Sequence, residues 1–261
     1  MPSDPERYYQ AFSFEVGIRD WVWPNERHEQ LKLLVADVLR GRRGLRILDV
    51  GCGAGVLSDF LTRYGAVSGM DFSRPAIQLA GTLSPAARFS AGRIEELDPG
   101  ERFDLITLFD VLEHIPIDQR DEFLAAIRSR LADRGTIIAS TPHPTNNRWL
   151  AENRPELLQV VDEPVELAGI VEAAGRLGLE LVHYRTYDLS WRRHYQFMAL
   201  EPAAGAEDGP VRDPRLARRL MAARSSPALL ARRTRLAGRA LRRRRPRLAW
   251  WLLRGGETPS L

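Results

Sequence analysis

The sequence predicts an α/β protein with a doubly wound, mostly parallel seven-stranded sheet. Short apolar runs alternate with amphipathic segments between about residues 45 and 200, and a glycine-rich turn follows the first of these runs. Alternation of this kind is typical of parallel strands joined by helices that cover both faces of a sheet. Two apolar runs follow each other directly at the end of this region, which predicts an antiparallel edge strand.

The individual elements follow from the spacing of apolar residues. A helix is predicted at residues 26–40, because Leu31, Leu34, Val35 and Val38 recur there at helical spacing. The predicted strands are 45–50, 66–70, 88–90, 103–109, 136–140, 179–187 and 194–200. The other predicted helices are 56–64, 75–83, 119–131 and 163–177, and the segment between Thr141 and Glu163 is predicted to be a loop.

Charge and composition divide the chain into four parts. Residues 1–44, which are rich in aromatic residues, are expected to form a helical lid, and residues 45–201 the main domain. Residues 202–213 are expected to be a linker, and residues 214–261 a basic tail that is helical or disordered. Residues 211–254 contain 15 arginines and one acid, Asp213, whereas the whole chain has a net charge of only +4. This asymmetry predicts an anionic partner for the tail.

The same composition argues against a membrane span and a disulfide. No apolar run reaches the roughly 18 to 20 residues that a transmembrane helix needs. The first residues are polar and acidic, unlike a signal peptide. Cys52 is the only cysteine, which excludes an intrachain disulfide and fits a reducing cytoplasm. We therefore expect a cytoplasmic protein.

Residues 49–55, Asp-Val-Gly-Cys-Gly-Ala-Gly, are the first candidate binding element. Glycines between a strand and a helix allow a sharp turn and let a ligand approach the backbone. Asp71, at the end of the second predicted strand, is placed to accept both hydroxyl protons of a ribose. A nicotinamide cofactor is an alternative, but Val56 occupies the sixth position of its G-x-G-x-x-G/A pattern. Asp49 would also repel a pyrophosphate, whereas it suits a ligand with an ammonium and a sulfonium group.

Residues 47–55 resemble the first motif of the class I S-adenosylmethionine-dependent methyltransferases, and the resemblance extends from Leu45 to about Leu200. It implies a Rossmann-like fold and S-adenosylmethionine as the cofactor. Where this family usually has a Gly-Asp pair after the third strand, this chain has Gly92-Arg93. The cofactor-binding residues that the resemblance implies are Asp49, Gly51, Cys52, Gly53, Gly55, Asp71, Phe72, Arg93, Ile94 and Phe109.

Residues 103–115 resemble the corresponding segment of the ubiquinone-biosynthesis O-methyltransferases, which end in a similar Leu-Glu-His. The resemblance implies methyl transfer to an oxygen of a small or lipid-like acceptor. A second hypothesis is RNA 2′-O-methylation, because Asp110, Glu113, His114 and His143 resemble the metal ligands of small-RNA 2′-O-methyltransferases. In the alternative interpretation, Glu113 and His114 bind no metal and orient their loop through hydrogen bonds. A third hypothesis is a non-catalytic module that binds S-adenosylmethionine.

His143 and His114 are the candidate general bases. His143 follows the fifth predicted strand, where the acceptor is expected to bind, and His114 follows the fourth. The unperturbed pKa of histidine, about 6.5, suits removal of a proton from a hydroxyl group. We predict His143 as the first choice and His114 as the second.

The tail combines four arginines, residues 242–245, with the apolar run Trp250-Trp251-Leu252-Leu253. Arginines bind lipid phosphates, and Trp and Leu enter the interfacial region of a bilayer. This pattern favours peripheral binding to an anionic membrane surface, at the inner face of the membrane for a cytoplasmic protein. Nucleic acid is a less favoured partner, because apolar residues gain little from phosphates.

Overall fold

A computed structural model of the chain describes residues 25–189 and 194–204. The strands are β1 (Leu45–Val50), β2 (Gly65–Asp71), β3 (Arg88–Ala91), β4 (Phe103–Phe109), β5 (Leu131–Pro142), β6 (Leu179–Tyr187) and β7 (Tyr195–Pro202). They form one sheet in the order β3-β2-β1-β4-β5-β7-β6. Pairs from β3 to β5 are parallel, and β7 is antiparallel to both β5 and β6. The predicted fold class is therefore confirmed, with β7 second from the edge.

The two faces of the sheet are buried against different helices. Side chains alternate along β4, so that Leu105 packs with one apolar cluster and Ile106 with the other. The helices are α1 (Glu26–Leu39), α2 (Val56–Leu61), α3 (Arg74–Leu83), α4 (Arg120–Ser129), α5 (Pro144–Asn153) and α6 (Leu167–Arg176). Helices α1 and α2 contribute to the cluster of Leu105, and α4 and α6 to that of Ile106. Short 3-10 turns lie at Ile94–Glu96, Leu112–His114, Ile117–Gln119 and Pro155–Leu157.

Helix α5 lies in the segment that we predicted to be a loop. Pro144 occupies its first turn, and the Nδ1 atom of His143 accepts a hydrogen bond from the Thr145 backbone N–H as the N-cap. The helix has few apolar residues, so periodicity does not reveal it. The proline at the first helical position is the signal that identifies it.

Helix α1 begins at a reciprocal cap. The side chain of Asn25 accepts from the His28 backbone N–H, and His28 Nδ1 accepts from the Asn25 backbone N–H. Most of the predicted lid, the linker beyond residue 204 and the basic tail lie outside the described residues. Within the described ranges, no helix is long and apolar enough to cross a membrane.

Candidate active site

A cleft of about 480 Å³, its open mouth included, lies where the glycine loop after β1 faces the end of β4 and the start of α1. Parallel α/β sheets place ligand sites at the carboxyl ends of their strands. The predicted residues that line the cleft are Asp49, Gly51, Cys52, Gly53 and Phe109. The other lining residues are Arg27, His28, Ala54, Val56, Leu57 and Asp110.

The glycine loop packs so closely against its neighbours that it has no room for a side chain at Gly51. The backbone N–H groups of Gly51 and Cys52 both donate to the Met70 carbonyl oxygen at the end of β2, over 2.7 and 3.0 Å. Gly51 has a φ of 68°, and a Cβ atom added there would lie 2.6 Å from Val111 Cγ2. The loop therefore requires glycine at position 51 for both its conformation and its close approach to Val111.

Asp71 holds the glycine loop against the end of β2. Its Oδ2 atom accepts from the Gly53 backbone N–H at 3.0 Å, and its Oδ1 atom accepts from the Ser73 backbone N–H at 2.8 Å. Burial raises the pKa of this carboxyl group, against the opposing effect of the two hydrogen bonds. A carboxylate has about four acceptor positions, so Asp71 retains the capacity to bind two hydroxyl groups.

Asp49 is buried, and both its oxygen atoms are engaged by hydroxyl groups. Ser58 Oγ donates to Oδ2 over 2.5 Å, and Thr107 Oγ1 on the neighbouring strand donates to Oδ1 over 2.7 Å. Burial raises the pKa of Asp49 to about 6, which the two hydrogen bonds oppose. Asp49 thus connects the glycine loop to β4 and α2, in addition to contributing a carboxyl group to the cleft.

Arg27 is a site residue that the sequence analysis missed. It lines the cleft from the first turn of α1 and forms an ion pair with Asp110. Asp110 has a φ of 55°, a left-handed conformation that is uncommon for a residue other than glycine. A cation in the first turn of a helix opposes the helix dipole, but this signal does not identify Asp110 as the partner of Arg27.

Five of the predicted cofactor residues do not line this cleft, namely Gly55, Asp71, Phe72, Arg93 and Ile94. Asp71 lies behind the lining, where it accepts a hydrogen bond from the backbone of the lining residue Gly53. A Cβ atom on Gly55 would lie 3.0 Å from both the Ala80 and the Phe89 side chains, so Gly55 serves packing. Ile94 packs in the apolar core below β2 and β4. Roles for Phe72, Arg93 and Ile94 in cofactor binding remain predictions.

Glu113 lies beyond Asp110, in the 3-10 turn that follows β4, and only 2% of it is exposed. The pKa of its carboxyl group is raised to about 8, mainly by burial and also by the charge of Asp162, against the opposing effects of a backbone hydrogen bond and of the charges of Arg27 and Arg120. Its Oε2 atom has no hydrogen-bond partner among the residues described. A buried glutamic acid of this kind is mostly protonated at neutral pH.

The two predicted bases have different hydrogen bonds. His143 Nδ1 accepts from the Thr145 backbone N–H at 3.3 Å, as the cap of α5. His114 Nδ1 lies 2.7 Å from the Val161 carbonyl oxygen, which only accepts, so this nitrogen carries the hydrogen. The pKa of His114 is lowered by burial, against the opposing effects of the Val161 hydrogen bond and of Asp162. The lone pair of neutral His114 is therefore on Nε2.

The residues predicted as metal ligands under the RNA hypothesis do not assemble into one set. Within the described ranges, no group of three or more His, Cys, Asp or Glu side chains is arranged to hold a metal ion. His143 caps α5, and Asp110 is paired with Arg27. The geometry thus gives no support to the metal-dependent hypothesis.

Comparison with known proteins identifies the family. Residues 24–184, more than half of the chain, match the family model described as a methyltransferase domain. The chain belongs to the class I S-adenosylmethionine-dependent methyltransferases. The predictions of this family and of its cosubstrate, S-adenosylmethionine, are confirmed.

Individual relatives match this methyltransferase over part of their length. The chain is 38% identical over 111 residues to a ubiquinone biosynthesis O-methyltransferase of Bradyrhizobium diazoefficiens, a match that covers 41% of the chain and 42% of the relative. It is 31% identical over 152 residues to the mitochondrial ubiquinone biosynthesis O-methyltransferase of Candida albicans, covering 53% and 44%. These matches thus span less than half of each relative's length.

Solved structures share the fold of this methyltransferase at low sequence identity. Magnesium protoporphyrin IX methyltransferase of Synechocystis PCC 6803, bound to S-adenosylhomocysteine (SAH), has a TM-score of 0.62 at 18% identity, covering 76% of this chain and all of that one. The N-methyltransferase NodS of Bradyrhizobium japonicum, also bound to SAH, has a TM-score of 0.64 at 15% identity, covering 77% and 100%. The [4+2]-cyclase SpnF has a TM-score of 0.58 at 15% identity, covering 77% and 97%. The fold alone therefore does not fix the reaction.

The polar lining of the cleft suits S-adenosylmethionine, which carries both positive and negative groups. Arg27, Asp49 and Asp110 contribute one basic and two acidic side chains to its lining. Gly51 and Gly53 leave part of one wall without side chains, and binding of the ribose hydroxyls by Asp71 remains a prediction.

Proposed function

We propose that the protein transfers the methyl group of S-adenosylmethionine to an oxygen of a small or lipid-like acceptor. The observation that carries this proposal is the cleft that the glycine loop forms with Arg27 and Asp110 in a chain of the methyltransferase family. The named relatives are O-methyltransferases, which supports oxygen as the methylated atom. S-Adenosylmethionine is an activated donor, so alignment of the acceptor and removal of its proton are the protein's main tasks.

His114 is the base that we favour for the proton, with His143 as the second candidate. The Nε2 atom of neutral His114 carries the lone pair that would accept the proton, and the hydrogen bond from Nδ1 to Val161 orients the ring. His143 uses its Nδ1 lone pair to cap α5, which argues against a transfer to that atom. The variant His114→Gln should lose at least 30-fold in turnover with unchanged SAH affinity, and His143→Gln should affect turnover less. The reverse order would favour His143.

Methyl transfer itself is tested with labelled S-adenosylmethionine and an extract of small metabolites, followed by identification of the labelled product. The expected product carries the label on oxygen. An Asp71→Asn variant, deficient in cofactor binding, is the control for non-enzymatic labelling. Label on nitrogen would contradict the proposed acceptor atom. SAH binding without transfer to any compound would favour the non-catalytic module.

Peripheral binding of the arginine-rich tail to an anionic membrane remains a proposal that rests on sequence alone. Co-sedimentation of the full chain with phosphatidylglycerol vesicles tests it. Replacement of the four arginines 242–245 by glutamine should lower the bound fraction several-fold at low salt. Equal sedimentation of the two proteins would contradict membrane binding through these residues.

A further inference from the structure

Three buried side-chain oxygen atoms in the segments that follow β4 and β5 have no hydrogen-bond partner in the described part of the chain. They are Asp110 Oδ1, Glu113 Oε2 and Asn147 Oδ1. Unpaired buried polar atoms are costly and therefore rare, and three within one region of a native protein require an explanation. A bound ligand that supplies the missing hydrogen bonds is one such explanation.

The three residues belong to one continuous cluster. Asp110 lines the cofactor cleft and is paired through its other oxygen with Arg27. Glu113 lies three residues further along the chain, and its carbonyl oxygen accepts from the Glu163 backbone N–H. Asp162, next to Glu163, accepts through Oδ1 from Asn147 Nδ2 at 2.8 Å. The cluster thus extends from the lining of the cofactor cleft to the first turns of α5.

The backbone and side-chain hydrogen bonds of these residues show which of their atoms already have partners. The Asp110 backbone N–H donates to the Ser140 carbonyl oxygen at 2.9 Å, and the Glu113 carbonyl oxygen accepts from the Glu163 backbone N–H at 2.9 Å. Because the carboxylate of Asp162 only accepts, the amide of Asn147 must direct its nitrogen to Asp162. Its oxygen is therefore the atom that is left without a partner.

From this arrangement we propose an acceptor subsite formed by Asp110, Glu113 and Asn147, with Glu113 as its specificity-determining residue. The subsite takes neutral hydrogen-bond donors of the acceptor, hydroxyl or amine groups, and rejects carboxylates and phosphates. Two of the three oxygen atoms, those of Asp110 and Asn147, only accept hydrogen bonds. The oxygen atoms of a carboxylate or phosphate also only accept, so no hydrogen bond could form between them. This inference rests on the proposed methyl transfer to a small acceptor.

Two single-ring probes of similar size, phenol and benzoate, separate a neutral donor from an anion. Their binding to the full chain saturated with SAH is measured at pH 7.5 by ligand-detected NMR. We expect phenol to bind at least tenfold more tightly than benzoate. Equal or tighter binding of benzoate, or no binding of phenol, would overturn the subsite. Failure of the protein to bind SAH would contradict the methyltransferase assignment instead.

Variants at Glu113 assign the preference to this residue. Glu113→Leu should weaken phenol binding at least tenfold, with an SAH affinity within twofold of the wild type. Glu113→Gln, which keeps a polar group, should retain phenol binding within threefold. Glu163→Leu is the matched control, because Glu163 is 41% exposed and accepts from the Ile117 backbone N–H. Wild-type phenol binding in both Glu113 variants would overturn the role of Glu113 in the subsite. If Glu113→Leu does not fold, the comparison of phenol with benzoate on the wild-type protein still tests the subsite.

Discussion

On the cofactor side of the cleft, Asp49 and Asp71 each accept two hydrogen bonds from the protein, one at each carboxylate oxygen. On the acceptor side, Asp110, Glu113 and Asn147 each have an oxygen without a partner among the residues described. The carboxylates of the cofactor side are thus held by the protein itself, whereas the proposed acceptor side depends on its ligand for the remaining hydrogen bonds. The comparison teaches that cofactor binding and acceptor recognition are separable by mutation.

The largest expected effect comes from Asp71. Asp71→Asn removes the charge and places a donor where the carboxylate accepts from Gly53 or Ser73. The two hydrogen bonds that the carboxylate is predicted to accept from the ribose hydroxyls are worth about 1.5 kcal/mol each, so SAH affinity should fall about 100-fold. Isothermal titration calorimetry measures this change.

Asp104→Asn is the matched control for Asp71. Asp104 also accepts from a backbone N–H, that of Arg46, but it lies near the opposite end of β4 from the cleft. Its replacement should leave SAH affinity within twofold of the wild type. Equal losses in the two variants would indicate a general loss of structure and would contradict the organisation of the cofactor side by Asp71.

The different predictability of the two sides has a physical cause. The glycine loop and Asp71 are recognisable because a strand, a turn and a strand end follow in short order along the chain. Arg27 and Asp110 meet only in the folded protein, so local sequence does not pair them. Helix α5 lacks apolar periodicity, and its start at Pro144 is the only local signal. The acceptor side combines such distant residues, and for this reason sequence alone did not assemble it.

A second effect concerns the pH dependence of stability, where Asp49 and Glu113 differ. Burial raises the pKa of Asp49 from about 4 to about 6 and that of Glu113 from about 4.5 to about 8. A raised carboxyl pKa means that the folded state retains a proton that the unfolded state releases. Stability therefore falls as pH rises through each window, from 4 to 6 for Asp49 and from 4.5 to 8 for Glu113.

Between pH 6 and pH 8, the window of Glu113 applies and that of Asp49 does not. The wild type should lose about 2 kcal/mol of unfolding free energy from Glu113 over this range, and Glu113→Gln should remove that loss. Asp49→Asn should instead change the slope below pH 6. Urea denaturation at pH 5, 6, 7 and 8 measures both. An unchanged slope between pH 6 and pH 8 in Glu113→Gln would show that Glu113 is already ionised at pH 6.

The smallest expected effect tests Arg27, which belongs to both sides because it lines the cofactor cleft and pairs with Asp110. Arg27→Gln should weaken SAH binding about tenfold, the value of one charge-assisted hydrogen bond to the carboxylate of the ligand. The variant also leaves Asp110 without its counter-ion, which lowers stability independently of the ligand. Arg43→Gln is the control, since Arg43 stacks at 4.8 Å over the Tyr64 ring away from the cleft.

The double variant Arg27→Gln/Asp110→Asn separates the two roles of Arg27. Removal of the partner charge should restore much of the stability that Arg27→Gln loses, because no unpaired carboxylate remains buried. SAH affinity should stay low, because the cation that the ligand's carboxylate needs is still absent. Recovery of SAH affinity together with stability would mean that Arg27 acts on the cofactor only by neutralising Asp110. In that case the residue would belong to the acceptor side alone.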